Sequence, residues 1–159
     1  MVIPINSLKL PHFLVKAKIA TYASGSDDLA VKPAFENAYQ LEYTENKFLY
    51  RDIYFGGSYF IGMKIVFWNE QPIWGMSYYG GVLPGISDQQ SVEMPSVLKA
   101  ALREVPLDAP FRGPVSFQDG DYLYKNEIHG DISIFHGTEN IRVQEQPIYR
   151  LFYHGGLVE

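Results

Sequence analysis

The 159-residue chain contains no cysteine. Disulfides, thiolate metal sites and thiol catalysis are therefore excluded, and the composition suits a reducing, cytoplasmic compartment. Basic side chains are also scarce: 13 Lys and Arg stand against 18 Asp and Glu, a formal charge of −5. Residues 81–159 hold only 6 basic side chains against 11 acidic ones. No Lys/Arg run supplies the basic face that a phosphate backbone requires, so direct nucleic-acid binding is not expected. Long apolar runs are missing as well. The stretch 65–68 is far too short to span a bilayer, and the first twenty residues lack a secretory n-region followed by an apolar stretch. The expectation is a soluble, cytoplasmic protein with no membrane partner. Nucleotide-binding and hydrolase signatures are absent too. There is no G-x-x-x-x-G-K-[ST], no G-x-G-x-x-G and no G-x-S-x-G; Gly56-Gly57-Ser58 lacks the later glycine. No cofactor is implied.

Aromatic residues are abundant: 12 Tyr, 10 Phe and 2 Trp make up 15% of the chain. These residues favour strands, and 47% apolar content is enough to bury a core without a metal or disulfide staple. The length fits one domain, taken as 1–159.

The sequence repeats itself. Residues 60–82 lie on residues 135–157 without gaps at an offset of 75, with 9 identities in 23 positions. The shared positions include Phe60/Phe135, Gly62/Gly137, the Glu-Gln-Pro-Ile block 70–73/145–148, Tyr78/Tyr153 and the glycine pairs 80–81/155–156. Upstream, 49–52 matches 123–126, and 7–20 matches 91–104, in the same order. Fixed-order self-similarity predicts an internal duplication, with units at about 7–83 and 91–159. The first unit has ten more residues between its helix and first strand.

Each unit reads as a helix followed by three strands. Helices are predicted over 7–23, with Leu10, Phe13, Leu14, Ala17 and Ala20 on one stripe, and over 91–105, with Met94, Val97, Leu98, Ala101 and Leu102. Pro11 and Pro95 are then expected in first turns, where a missing N–H is tolerated. Strands are predicted over 48–55, 59–68 and 73–79, and again over 122–129, 132–143 and 148–154, with a short extra strand near 40–43. Short connections favour antiparallel pairing. The predicted class is α+β: αβββ–αβββ, with two helices on one face of an antiparallel sheet.

Alternation assigns the faces. Trp74/Met76/Tyr78 and Tyr149/Leu151/Tyr153 are uniformly large and apolar and should face the helices. The other set differs between the units, with Gly75 against Arg150, Ser77 against Phe152 and Tyr79 against His154. Small residues opposite large ones suggest a hollow. The expected ligand site is a pocket between the halves lined by Tyr50, Asp52, Tyr54, Gly75, Tyr79, Arg150 and His154. It should favour a small acidic or aromatic molecule held by stacking and an arginine. Alternatively, His154 could act with Asp52 or Glu127 in a small hydrolase or isomerase, which requires them within hydrogen-bond reach. A protein–protein module, including a homo-oligomer, is a third option, signalled by an exposed aromatic patch. His129, Asp131 and His136 match no familiar ligand spacing, and no metal site is expected. The glycine pairs are read as strand terminators, and Arg112 could point into a groove or at solvent.

Five segments together carry a family resemblance: residues 20–25 (ATYASG), 48–57 (FLYRDIYFGG), 72–82 (PIWGMSYYGGV), 110–114 (PFRGP) and 149–157 (YRLFYHGGL). In this combination the chain resembles an uncharacterised bacterial domain family of unknown function. Its members stand alone or follow an XRE-type helix-turn-helix. The resemblance implies a stand-alone domain, with no room for a DNA-binding segment before Leu8, and it implies no activity, ligand or catalytic residue. A cytoplasmic small-molecule-binding or sensor-type domain is the function expected.

Overall fold

The computed structural model describes residues 9–159. The predicted helix positions 7 and 8 lie outside the described residues. Helix α1 (Lys9–Ala20) buries Leu10, Phe13, Leu14 and Ala17 of the predicted stripe but leaves its last member, Ala20, half-buried, and Pro11 sits in its first turn. A 3-10 turn over Tyr22–Ser24 follows and is closed by Gly25 in the left-handed region. Helix α2 (Asp88–Arg103) begins earlier than predicted, because Ser87 and Gln90 form a capping box. Pro95 therefore lies inside the helix and not in its first turn. It cannot donate to the Ser91 carbonyl four residues back.

Eight strands form one antiparallel sheet: β1 (Tyr39–Glu45), β2 (Phe48–Gly56), β3 (Tyr59–Trp68), β4 (Gln71–Val82), β5 (Ser116–Asp119), β6 (Tyr122–Asp131), β7 (Ile134–Val143) and β8 (Gln146–Leu157). Their order is β1-β2-β3-β4-β8-β7-β6-β5, so two four-stranded meanders join along β4 and β8. The class is α+β as expected, but each half carries four strands. The short strand near 40–43 is the centre of β1. Its counterpart β5 is only four residues long and follows a proline-rich connection, so its sequence gave no strand signal.

The hairpins are locally determined. Asn69 and Glu70 both have positive φ (47° and 67°), forming a two-residue turn whose twist matches the flanking strands. Past it the register shifts between Val66 and Phe67, and in the other half between Ile141 and Arg142. These bulges fall beside Pro72 and Pro147, where a residue without an N–H is tolerated. The bulge carbonyls tie the halves together: Val158 N donates to Ile73 O (3.0 Å) and Leu83 N to Ile148 O (2.8 Å). The glycine pairs do not end their strands, as the turn reading expected. Gly80 and Gly81 pair with Leu151 and Arg150 inside the β4–β8 ladder.

The helix-side core contains Trp74, Met76, Tyr78, Tyr149, Leu151 and Tyr153, as alternation predicted, together with Tyr50, Tyr124, Phe111 and Phe135. The opposite face is open and exposes Phe55, Ile61, Met63, Tyr79 and Phe152. Among the described residues, no helix is long and apolar enough to cross a membrane.

Candidate functional site

Register decides which side chains meet. Tyr50, Asp52 and Tyr54 pair with Val66, Lys64 and Gly62 on β3, which pair in turn with Trp74, Met76 and Tyr78 on β4. These rows place Tyr50, Asp52 and Tyr54 on the helix side and leave Gly75, Tyr79, Arg150 and His154 on the open face. The seven residues thus do not share one pocket. Period-2 reading assigns faces within a strand but not between strands; pairing alone fixes how one strand's alternation lines up with the next. Asp52 and Tyr54 line a cleft on the helix side, and Tyr50 lies fully buried below it. Arg150 instead hydrogen-bonds Asn140 at the surface (Nε to Oδ1, 3.0 Å). His154 is exposed and on the opposite face from buried Asp52, which removes that catalytic pairing. Glu127 engages His129 (3.2 Å) rather than His154.

The cleft encloses about 370 Å³ between α2 and the first meander. Tyr22, Tyr39, Tyr54 and Phe60 supply rings, Met94, Pro95 and Leu98 form the helical wall, and Asp52, Lys64 and Arg112 supply charge. Tyr39 stacks on Tyr54 (5.1 Å between centroids), and Tyr22 meets Tyr54 edge-on (6.4 Å). Burial raises the Tyr54 hydroxyl to about 12, so it is a hydrogen-bond donor at neutral pH. Ser91 also lines the cleft, its carbonyl deprived of the usual helical donor by Pro95.

Below the rings lies a charged network that sequence reading missed. Lys64 Nζ pairs with Asp52 Oδ2 at 2.5 Å, and Tyr78 donates to Asp52 Oδ1 at 2.6 Å. In the other half, Arg112 Nε donates to Glu139 Oε2 (3.0 Å), and its Nη2 bonds Oε1. Tyr124 and Tyr149 each donate to the same carboxylate at 2.7 Å. Asp52, Lys64, Arg112 and Glu139 are all at most 4% exposed. Charges this deep persist only when paired and hydrogen-bonded, which these are. Arg112 therefore points inward. Burial is the largest single influence and opposes its charge, but Glu139, Tyr149 and Tyr124 together outweigh it and raise the pKa.

Lys18 is different. It comes off α1 into the same region, and its Nζ has no hydrogen-bond partner. It sits 5.8 Å from the Tyr50 ring centroid and 5.7 Å from that of Trp74. Burial, then the charges of Lys64 and Arg112, pull its pKa well below the ordinary lysine value. The buried Tyr50 hydroxyl also lacks a well-formed hydrogen bond, although Thr21 lies beside it; Thr21 gives its own hydrogen to Ala17 O (2.7 Å).

The missed signal lay in the aligned segments. Lys64 and Glu139 occupy matching positions, 75 residues apart, as do Asp52 and Asn126 at an offset of 74. Charged residues of opposite sign thus stand at one matching core position of the two halves. The halves also differ in packing. Phe60 faces the cleft, whereas its match Phe135 is covered by Phe111, stacked at 3.8 Å between centroids. The connection bearing Phe111 is clamped by Gly113 N to Tyr124 Oη (3.0 Å) and Asn126 Nδ2 to Gly113 O (2.9 Å). One half is filled; the other is open.

His129, His136 and His154 form a row across β6, β7 and β8 on the open face. Among the described residues, no group of three or more His, Asp or Glu is placed to hold a metal ion.

The family domain DUF5680, a domain of unknown function, matches residues 52–158. The chain belongs to this family. The matched span of the DUF5680 chain includes both buried ion pairs and most of the sheet, but begins after Tyr50 and Lys18. No curated protein and no solved structure matches it.

Proposed function

We propose that this DUF5680 protein is a small-molecule-binding domain of the sensor type, whose guest enters the cleft between α2 and the first meander. The observation that carries the reading is the cleft itself: about 370 Å³, walled by five aromatic rings, with convergent polar groups at Asp52, Lys64 and Arg112. That volume and that mixture of apolar wall and few polar anchors are usual for a ligand site. A cysteine-free chain suits the cytoplasm, and a sensor role would fit a bacterial domain that in other chains follows an XRE-type helix-turn-helix. The test is a thermal-shift screen of metabolites and aromatic fragments against the intact protein and Tyr54→Ala. Compounds that raise Tm of the intact protein should lose most of that shift in the variant. A screen without any stabilising compound would sink the reading.

The two halves read as products of duplication. Support comes from the nine identities, the mirrored strand order, the paired bulges, and the matching Tyr78–Asp52 and Tyr153–Asn126 hydrogen bonds. In this account the longer connection after α1 left the first half open, while Phe111 sealed the second.

A second reading rests on the open face, where Tyr79 and Phe152 are cross-strand neighbours and Phe55, Ile61 and Met63 add exposed apolar surface. Such a patch suits sheet-to-sheet stacking with a second copy of the chain. Sedimentation of the intact protein and of Phe152→Lys over a concentration series would show a dimer that the variant loses, or a monomer throughout.

A further inference from the structure

Behind the cleft is a small inner chamber of about 10 Å³, with room for roughly one water-sized group. Lys18, Lys64 and Arg112 line it and no carboxylate does; its remaining walls include Tyr22 and Phe111. Tyr22, Lys64 and Arg112 line both spaces, so the chamber adjoins the cleft floor. The charged and titratable groups near Lys18 are Lys64 on β3, Asp52 and Tyr50 on β2, Glu139 on β7 and Arg112 on the α2–β5 connection. Asp52 and Glu139 are already committed to Lys64 and Arg112. Three bases thus share two acids, and Lys18 Nζ is the buried nitrogen left without a partner.

We propose that Lys18, Lys64 and Arg112 form an inner anion subsite that takes the carboxylate of a planar, monoanionic guest held by the cleft's rings. The inference rests on the cleft being a ligand site and adds the guest's charge class. One surplus base matches one negative charge. A chamber this small accommodates the tip of a carboxylate reaching in from the cleft better than a whole phosphate. Burial and the neighbouring cations disfavour a proton on the Lys18 amine when the site is empty. Arrival of a carboxylate reverses that balance. The amine takes one proton from solvent and becomes an ammonium paired with the guest, so charge balances without any further reactant.

The test is calorimetry on the intact protein at pH 7.5 with benzoate, benzamide, benzyl alcohol and inorganic phosphate as probes. Each titration is repeated in two buffers of different ionisation enthalpy. Benzoate should bind at least tenfold more tightly than benzamide or benzyl alcohol, phosphate should not compete, and binding should take up close to one proton. Benzoate affinity should also fall as pH rises from 7 to 9, a readout that needs no variant. Lys18→Met should bind benzoate at least tenfold more weakly with no proton uptake. If benzamide or benzyl alcohol binds as well as benzoate, or no proton is taken up, the cleft survives as a ligand site and the anion subsite is overturned. Competition by phosphate overturns the carboxylate preference. If none of the aromatic probes binds, both readings fall together.

Discussion

Tyr78 and Tyr153 pair directly across the β4–β8 junction, and each sends its hydroxyl to the matching residue of its own half: Asp52 at 2.6 Å and Asn126 at 2.8 Å. In both halves the ring lies over a glycine, Gly62 or Gly137, where an added Cβ would collide with the hydroxyl. The geometry is shared; the acceptor's charge is not.

That difference sets a stability prediction. Removing a hydrogen bond to a buried charged group costs about 1.5–3 kcal/mol, and one between neutral groups about 0.5–1.5 kcal/mol. Tyr78→Phe should therefore destabilise the protein more than Tyr153→Phe in urea unfolding. Equal losses, or the reverse order, would contradict the assignment of a buried Asp52 carboxylate.

Lys18 gives a pH prediction. Its folded pKa lies below the unfolded value of about 10.4, so the unfolded chain binds a proton that the empty folded site refuses. Wild-type stability should then fall as pH drops from about 9.5 toward the folded value, by at most about 1.4 kcal/mol per pH unit from this group. Lys18→Met lacks the penalty. Its stability relative to wild type should improve steadily as urea midpoints are measured at pH 9.5, 8.5 and 7. A difference that stays constant with pH would refute it.

Phe111 is the side chain that closes the second half. Phe111→Ala should cost about 3–5 kcal/mol, the usual range for a buried aromatic truncated to alanine. The space above Phe135 should then accept a small apolar ring. Toluene should raise Tm of the variant more than that of wild type; an equal shift would mean that the space collapses.

The open-face residues make the contrasting case. Arg150 and His154 are exposed, on the side of the sheet away from the cleft. Arg150→Ala and His154→Ala should each stay within about 0.5 kcal/mol of wild type. Benzoate binding by calorimetry should be unchanged in both. A loss of binding in either variant would relocate the site to the face that alternation alone suggested.

Much of this protein was readable one strand or one helix at a time. The stripe Leu10, Phe13, Leu14 and Ala17 and the inward set Trp74, Met76 and Tyr78 follow from periods of 3.6 and 2, which are properties of local backbone geometry. The matching segments 60–82 and 135–157 likewise adopt matching hairpins, because matching hairpins need matching turn and bulge residues. The capping box at Ser87 was just as local, although the proline at 95 drew the expected start past it. Tertiary structure decided what no single strand could. Pairing put Asp52 beside Lys64 and opposite the helices, while His154 turned away, because one residue of register exchanges the faces of a strand. It also drew Lys18, Arg112 and Glu139 from distant parts of the chain into one buried cluster. On β3 the inward row, which also holds Phe60, Val66 and Trp68, carries Gly62 and Lys64 at its middle while Ile61, Met63 and Ile65 face outward, the reverse of what hydrophobicity alone would assign to that stretch. Lys64 turns inward because the fold supplies a carboxylate to meet it, and that carboxylate arrives from the neighbouring strand.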